Sequence, residues 1–534
     1  MAKNKDEEKK SLSRREFLKD TGMVVGGAAL TMGALSLAGC ASPEAETTTV
    51  TAPGTTKTTT VTGPGSTVTT TKTETATPWL PSKWDYEADV VVVGAGGAGL
   101  SASNFASDAG AQVILLEKMS VVGGSSAICG GGLFLAGTDE QKERGIEDSN
   151  DLLFDDLMKA GKYRNDTELV RAYVNNQLAV YRWLKTLGIT FAAVEYAESS
   201  VPRAHYTDPA NVIQLMRESA ETKGVKILLN TPGKRVLRNA AGRAVGVKAE
   251  QSGKDVYFKA RQAVILSAGG FSRNPEMLET YRPGFSMVVA MTSPGTTGDG
   301  LKMAQCVGCD LKDMGEIKAT YAAAVKGDTI GPLFMMYWSG AIIVNKYGKR
   351  FVNESKGHKE IPEFALQQPD GVSFQIFDKK ISESGAALGS MEQVKDFVVQ
   401  ANSIEELATK LGIDPSTLDE TVSNYNSYVE AGEDPECGRV TLTAEAGKPI
   451  KIDEPPFYGV ESKSVILGTY CGCKIDKDAH VINAFGEIVP GLYAAGEIFG
   501  GFHGGGYCGG SAFGKALVFG YIAANKSVTE IPWV

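Results

Sequence analysis

The chain has 534 residues, 43% of them hydrophobic and 22% charged, which is enough apolar surface for two substantial cores and the balance of an ordinary globular enzyme. A formal net charge of -9 excludes the basic face with which a nucleic-acid-binding protein displaces counterions from phosphate.

In chain order the first segment is an address. Ser13-Arg14-Arg15-Glu16-Phe17-Leu18-Lys19 resembles the twin-arginine export consensus, the weakly apolar stretch 22–39 reads as a signal-peptide h-region, and Leu37-Ala38-Gly39-Cys40 resembles a bacterial lipobox. Residues 1–40 are therefore expected to be a twin-arginine lipoprotein signal peptide, cleaved before Cys40, whose lipidated thiol would anchor the exported protein to a membrane, in the periplasm or at the cell surface. The alternative is a single transmembrane anchor, for which so short an apolar stretch is marginal. The twin-arginine route is associated with proteins exported folded and loaded with cofactor.

Residues 41–83 collapse to Thr, Val, Pro, Gly and Lys, with Thr-Thr-Thr-Val-Thr at 47–51 and again at 58–62. No core can be built from this composition, which predicts a disordered, solvated linker spanning about 35 Å end to end. The folded part is expected to begin near Trp84.

Asp89-Val90-Val91-Val92-Val93 is a short, β-branched run that predicts a strand buried on both faces of a parallel sheet. It leads into Gly94-Ala95-Gly96-Gly97-Ala98-Gly99 and a helix-compatible segment, 100–109. The first glycine permits the tight turn, the second lets backbone approach a pyrophosphate, and the third packs helix against strand. The helix N-terminus then presents free N–H groups to phosphate. A second apolar strand, Gln112-Val113-Ile114-Leu115-Leu116, ends in Glu117, about 18 residues past Gly99, where an acid accepts a ribose hydroxyl. Strand, glycine loop, helix, strand and acid together make a complete dinucleotide-binding unit.

After Glu117 come Lys118-Met119-Ser120-Val121-Val122-Gly123-Gly124-Ser125-Ser126 and Gly130-Gly131-Gly132. Here the chain resembles the fumarate reductase and succinate dehydrogenase flavoprotein family, which includes flavocytochrome c, urocanate reductase and 3-ketosteroid dehydrogenases. Further stretches carry the resemblance: Ser267-Ala268-Gly269-Gly270-Phe271, Thr297-Gly298-Asp299-Gly300, and Tyr493-Ala494-Ala495-Gly496-Glu497. It spans about residues 85 to 534. It implies FAD as cofactor, with the segments just named along the pyrophosphate and flavin, and Glu497 holding the cofactor. Ser511-Ala512-Phe513-Gly514 would open a final helix whose amides stabilise negative charge on the reduced flavin. Succinate dehydrogenases tether FAD through a His near the place of Ser125, so FAD here is expected to be non-covalent.

The implied fold is α/β: a Rossmann-like FAD-binding domain (84–314 and 465–534) with an inserted α+β capping domain at 315–464, substrate lying between them. The resemblance also locates a departure. His358 stands where fumarate reductases deliver a proton-donating arginine, Thr320 and Gly468 occupy the slots of two histidines, and Tyr507 replaces an arginine that clamps a carboxylate. Without those arginines a dianion is poorly paired. Catalysis is assigned to His358 as acid/base and to Tyr507 as donor to a carbonyl oxygen; the competing reading of His358 is a surface residue in the charged run Lys356-Gly-His-Lys-Glu. His503 is expected to shape the flavin loop, His480 to be exposed, and His205 to approach substrate or flavin.

Cys306 and Cys309 form a CxxC without a following His, read as buried free thiols, and no metal is assigned. The expected activity is hydride exchange between flavin N5 and an activated C–C bond of a small-molecule substrate, reducing a conjugated enoate or enone that is not fumarate. Electrons would come from a membrane cytochrome or quinol-linked carrier. The alternatives are a 3-ketosteroid-type dehydrogenase and a non-catalytic FAD-containing binding lipoprotein.

Overall fold

The computed structural model describes residues 48–50, 55–63, 66–74 and 80–533, apart from 198, 387 and 444–446. The export motif and Cys40 lie outside the described residues. The chain divides into two units, Met1–Thr77 and Pro78–Val534.

In the first unit the expected linker carries regular structure. Thr48–Val50, Thr55–Gly63 and Ser66–Glu74 form a three-stranded antiparallel sheet, with Val61 opposite Val68 and Gly63 opposite Ser66. Composition alone predicted no structure here. The run is dominated by Thr and Val, whose β-branched side chains favour extended backbone, and a Pro-Gly pair separates two matching halves.

In the second unit the valine run forms β1 (Tyr86–Val93), followed by α1 (Gly97–Asp108) and β2 (Val113–Leu116). The four residues Val90 to Val93 pair in parallel with Val113 to Leu116 and are buried on both sides, which is why they read as a continuous apolar run. β3 (Lys226–Leu228) extends the sheet beyond β2. On the other side of β1 lies β4 (Lys254–Leu266), whose last residues also pair in parallel with β5 (Ile488–Ala494). Antiparallel strands Gly233–Arg238 and Ala244–Gln251 complete its edge.

A second sheet is antiparallel and built around β6 (Ile317–Lys326) and the long β7 (Phe457–Thr469), which pair from Ile317 opposite Thr469 to Ala324 opposite Ser462. Ser373–Asp378 and Ile342–Asn345 continue it. The described residues form two hydrophobic cores: one under the parallel sheet, and one drawn from residues between Tyr321 and Val460. β6 and β7 run from one to the other, since Ala319 and Ile466 belong to the first core while Ala324 and Val460 belong to the second. A buried ion network stiffens the second: the Arg350 guanidinium bonds Glu354 at 2.7 Å and Asp434 at 2.8 Å, and Glu354 also accepts the Ile343 N–H.

The final helix, α2 (Ser511–Ser527), lies against α1, with Ser101 Oγ donating to the Leu517 carbonyl at 2.7 Å. No helix among the described residues is long and apolar enough to cross a membrane. The expectation of two buried thiols holds for Cys309 but not for Cys306, which is exposed because the helix Asp299–Gln305 ends just before it and turns it outward.

Candidate active site

The parallel strands deliver their glycine-rich ends to one place. The loop after β1, Glu117 after β2, Ala268-Gly269 after β4 and Gly496-Glu497 after β5 all line one cavity of about 690 Å³. Ligands of open α/β sheets bind at this carboxyl edge. Gly94 has φ of 103°, a conformation costly for any other residue, and a Cβ there would lie 2.6 Å from the Ser267 carbonyl oxygen. A Cβ at Gly99 would come within 1.9 Å of the Gly94 oxygen, so α1 can leave the loop this tightly only with glycine there.

Several side chains preset the loop. Glu117 accepts the N–H of Ala95 at 2.8 Å through Oε2 and that of Met119 at 2.9 Å through Oε1. Ser126 Oγ accepts the Gly97 N–H at 3.1 Å. Lys118 Nζ bonds Asp299 at 2.7 Å and Thr297 at 2.6 Å; burial opposes ionisation of Asp299, but Lys118 and the Thr297 hydroxyl outweigh it and hold its carboxyl below the usual range. Ser125 Oγ accepts the Ser293 N–H at 3.2 Å and lies 3.3 Å from the Thr296 hydroxyl.

Of the cofactor residues expected from the sequence, all line the cavity except Gly99, Gly123 and Ser511. Gly99 and Gly123 are packing positions, a Cβ at Gly123 meeting Ala127 at 2.7 Å. Ser511 turns its hydroxyl back to the Cys508 carbonyl at 2.6 Å, leaving Gly510 and Ala512 to face the cavity at the start of α2. The cavity suits FAD: its floor is open backbone at Gly96 and Gly130, where a Cβ would meet nothing closer than 3.8 Å, beside the N-terminus of α1.

Two ionisable side chains there influence each other, Glu497 and Lys515. Glu497 Oε1 accepts the Thr469 N–H at 2.7 Å; burial pushes its carboxyl up, against the Thr469 bonds and the charge of Lys515. Burial pushes the ammonium of Lys515, on α2, down to about 7 in spite of Glu497, and its Nζ donates to the Phe499 carbonyl at 2.7 Å. Sequence reading missed Lys515, although a lone lysine in the apolar run Phe513-Gly-Lys-Ala-Leu-Val-Phe519 is a visible signal of a buried charge.

The far end of the cavity is walled where β6 and β7 cross between the cores. Thr320 and Gly468 come from these strands, Tyr470 from the residue after β7, His358 and Lys359 from the loop after Glu354, and His503 and Tyr507 from the glycine-rich loop before α2. The rings form a cluster: His358 lies 6.0 Å from Tyr507 and 5.7 Å from Trp338, and Tyr470 lies 5.2 Å from Tyr507 and 4.9 Å from His503. His358 is 8% exposed, so the surface reading does not hold for it: the loop is drawn inward, and the His358 carbonyl accepts the Tyr321 N–H at 3.1 Å. Burial raises the phenols of Tyr507 and Tyr470 far above their ordinary range, keeping both protonated as donors. His503 is pushed well below its ordinary value by burial and by Lys515 and Lys359, so it is a neutral imidazole in the cavity wall. No arginine lines the cavity among the described residues.

Two other histidines lie elsewhere. His205 does not line the cavity: its ring bonds Thr138 Oγ1 and the Arg203 carbonyl, each at 2.7 Å, in a buried structural role. His480 is half-buried in a strand rather than exposed, bonded to Asp476 at 2.9 Å.

Comparison with known proteins agrees with this geometry. The family model for the FAD binding domain matches residues 89–512. A fumarate reductase (cytochrome) from Shewanella frigidimarina is 36% identical over 447 residues, covering 82% of this chain and 76% of that protein. The urocanate reductase of Eggerthella lenta is 32% identical, covering 85% of this chain and 77% of its own length. A flavocytochrome c3 fumarate reductase, solved in an open conformation, superposes with a TM-score of 0.73 at 30% identity over 84% of this chain and 79% of its own.

Proposed function

This chain belongs to the FAD-binding flavoprotein family of fumarate and urocanate reductases and is an FAD-dependent oxidoreductase acting on CH–CH bonds; from that premise we propose that it reduces the C=C bond of a conjugated enoate or enone other than fumarate. The observation that carries this reading is the aromatic far end of the cavity, arginine-free among the described residues, where the rings of His358 and Tyr507 lie 6.0 Å apart. A dianion would lose its hydration there without bidentate partners. An enone or a monoanionic enoate needs only a polarised carbonyl and a proton. That a relative reduces urocanate, an enoate with one carboxylate, supports the same choice.

FAD, held without a covalent bond by the loops ending at Gly94, Glu117, Gly269 and Glu497, supplies the hydride when bound. Tyr507 donates a hydrogen bond to the carbonyl oxygen and draws charge off the double bond. His358 delivers the proton to the carbon next to the carbonyl, an acid/base contribution of about 10²–10⁴ in rate. The rings of Tyr470 and Trp338 keep water out. The signal motifs at 13–19 and 37–40 support export and lipid anchoring through Cys40. Outside the cytoplasm, a cytochrome or quinol-linked carrier would then be the electron source.

The test is turnover of the purified holoenzyme with reduced viologen against an enone, an aryl enoate such as cinnamate, and fumarate, with a dye acceptor and ketosteroids for the reverse direction. Reduction of an enone or enoate well above fumarate is expected. Fumarate as the best acceptor, or turnover only in the ketosteroid arm, would reject the reading.

A further inference from the structure

Two segments of chain wall the cavity beside the reacting groups: one carries Leu333, Met335 and Trp338, the other Leu388 and Gly389. Trp338 joins them to the site of proton transfer, its ring 5.7 Å from that of His358. Among the described residues, none that lines the cavity within 332–338 or 388–393 is charged. Leu333, Trp338 and Leu388 pack against the second core yet keep part of their surface uncovered.

This wall is held in place from behind. The buried Gln375 accepts the Met336 and Tyr337 N–H groups through Oε1 at 3.0 and 3.3 Å, and its Nε2 donates to the Phe334 carbonyl at 2.8 Å. The Met335 N–H donates to the Leu388 carbonyl at 2.9 Å, which ties the first segment to the second. Gly389, with φ of 80°, then packs so closely that a Cβ would lie 2.3 Å from the Leu333 carbonyl oxygen. Neither segment swings away without breaking these contacts.

We propose that this wall is a subsite for an apolar, ring-sized group attached to the double bond, so that the substrate is an aryl or alicyclic enone or enoate and not a short-chain acid. The inference rests on the reductase reading and narrows it. The uncovered leucine and tryptophan surface is removed from water only when an apolar group covers it. Met335 adds a polarizable thioether, which packs favourably against an aromatic edge. A carboxylate or hydroxyl turned toward this wall would lose its hydration with no charged group there to replace it. Because Gln375 and Gly389 already fix the two segments, little order is lost when a ring settles against them. Leu333 and Leu388 are therefore specificity-determining residues.

The experiment titrates oxidised holoenzyme calorimetrically with 3-phenylpropanoate and with butanoate, which carry the same carboxylate and differ in phenyl against methyl. The native protein should prefer the phenyl ligand by about tenfold or more, the scale of taking a ring out of water. Leu388→Asn and Leu333→Asn should each cut that preference severalfold with flavin absorbance per protein unchanged. The two changes lie on separate segments, so either one reads the subsite if the other fails to fold. A native protein that binds the two ligands alike, or that binds neither, overturns the subsite, as does a preference that survives in both variants. Binding is read without turnover, so the two readings fail separately. An enzyme that prefers the phenyl ligand through this wall yet reduces no C=C bond keeps the subsite and loses the reductase assignment. One that reduces enones and binds the two ligands alike does the reverse.

Discussion

Glu497 Oε1 accepts the backbone N–H of Thr469 at 2.7 Å, tying the acid that follows β5 to the last residue of β7. The cofactor end and the substrate end of the cavity are thereby fixed to each other through one carboxylate, which the Thr469 hydroxyl also reaches at 3.1 Å. Glu497→Ala removes both bonds and takes the influence of Glu497 from the buried Lys515. FAD affinity should fall by about tenfold to a hundredfold, as expected for hydrogen bonds to a charged acceptor. Fluorescence titration of the apoprotein with FAD measures it; unchanged affinity would remove Glu497 from the cofactor site.

His358→Ala should lower turnover by about 10²-fold or more while flavin absorbance per protein stays the same. The side chain lies among rings of the cavity wall rather than in the loops that carry FAD, so cofactor retention is part of the prediction. Steady-state rates with reduced viologen, alongside the absorbance ratio, check both halves.

Acid should destabilise the fold partly through His503. Its folded value lies well below 6.5, so below that pH the unfolded chain takes up a proton that the folded chain refuses, and stability falls as pH falls. His503→Gln should flatten the slope of unfolding free energy between pH 6.5 and 5 by up to about 1.4 kcal/mol per pH unit. Urea unfolding of both proteins across that range decides it. Equal slopes would mean that the imidazole is protonated in the folded protein.

Glu354→Ala should cost about 3–5 kcal/mol, because it leaves the Arg350 guanidinium short of a partner in a fully buried site. It also frees the loop that carries His358 and Lys359, so activity should fall with stability. Thermal unfolding and viologen-linked rates on one preparation test the coupling, and a stable variant with normal activity would break it.

Much of the cofactor site was legible in sequence because its constraints are local. Gly94 and Gly99 are required by distances within one turn, and Glu117 by the end of the neighbouring strand. Ser511 was misplaced because a helix start does not reveal which way its first hydroxyl turns, here back to Cys508. Lys359 was passed over because a lysine in a charged run reads as solvent-facing; only the drawing-in of the loop, over the buried Arg350–Glu354 pair, puts it in the cavity. His205 misled for the opposite reason, since its sequence position near Arg203 says nothing of the Thr138 hydroxyl that takes its second nitrogen. The strands in the Thr-rich segment were missed because low complexity was weighed above β-branching.

The central claim is that this cavity transfers a hydride to a conjugated carbon of a substrate other than a dicarboxylate. Rapid anaerobic mixing of the reduced holoenzyme with cinnamate, an enone or fumarate, following return of oxidised-flavin absorbance, tests it without an electron partner. Fast single-turnover reoxidation by cinnamate or the enone, with fumarate slower by about 10²-fold or more, is the predicted result. Reoxidation by fumarate at the highest rate, or flavin that stays reduced with all three, would contradict it.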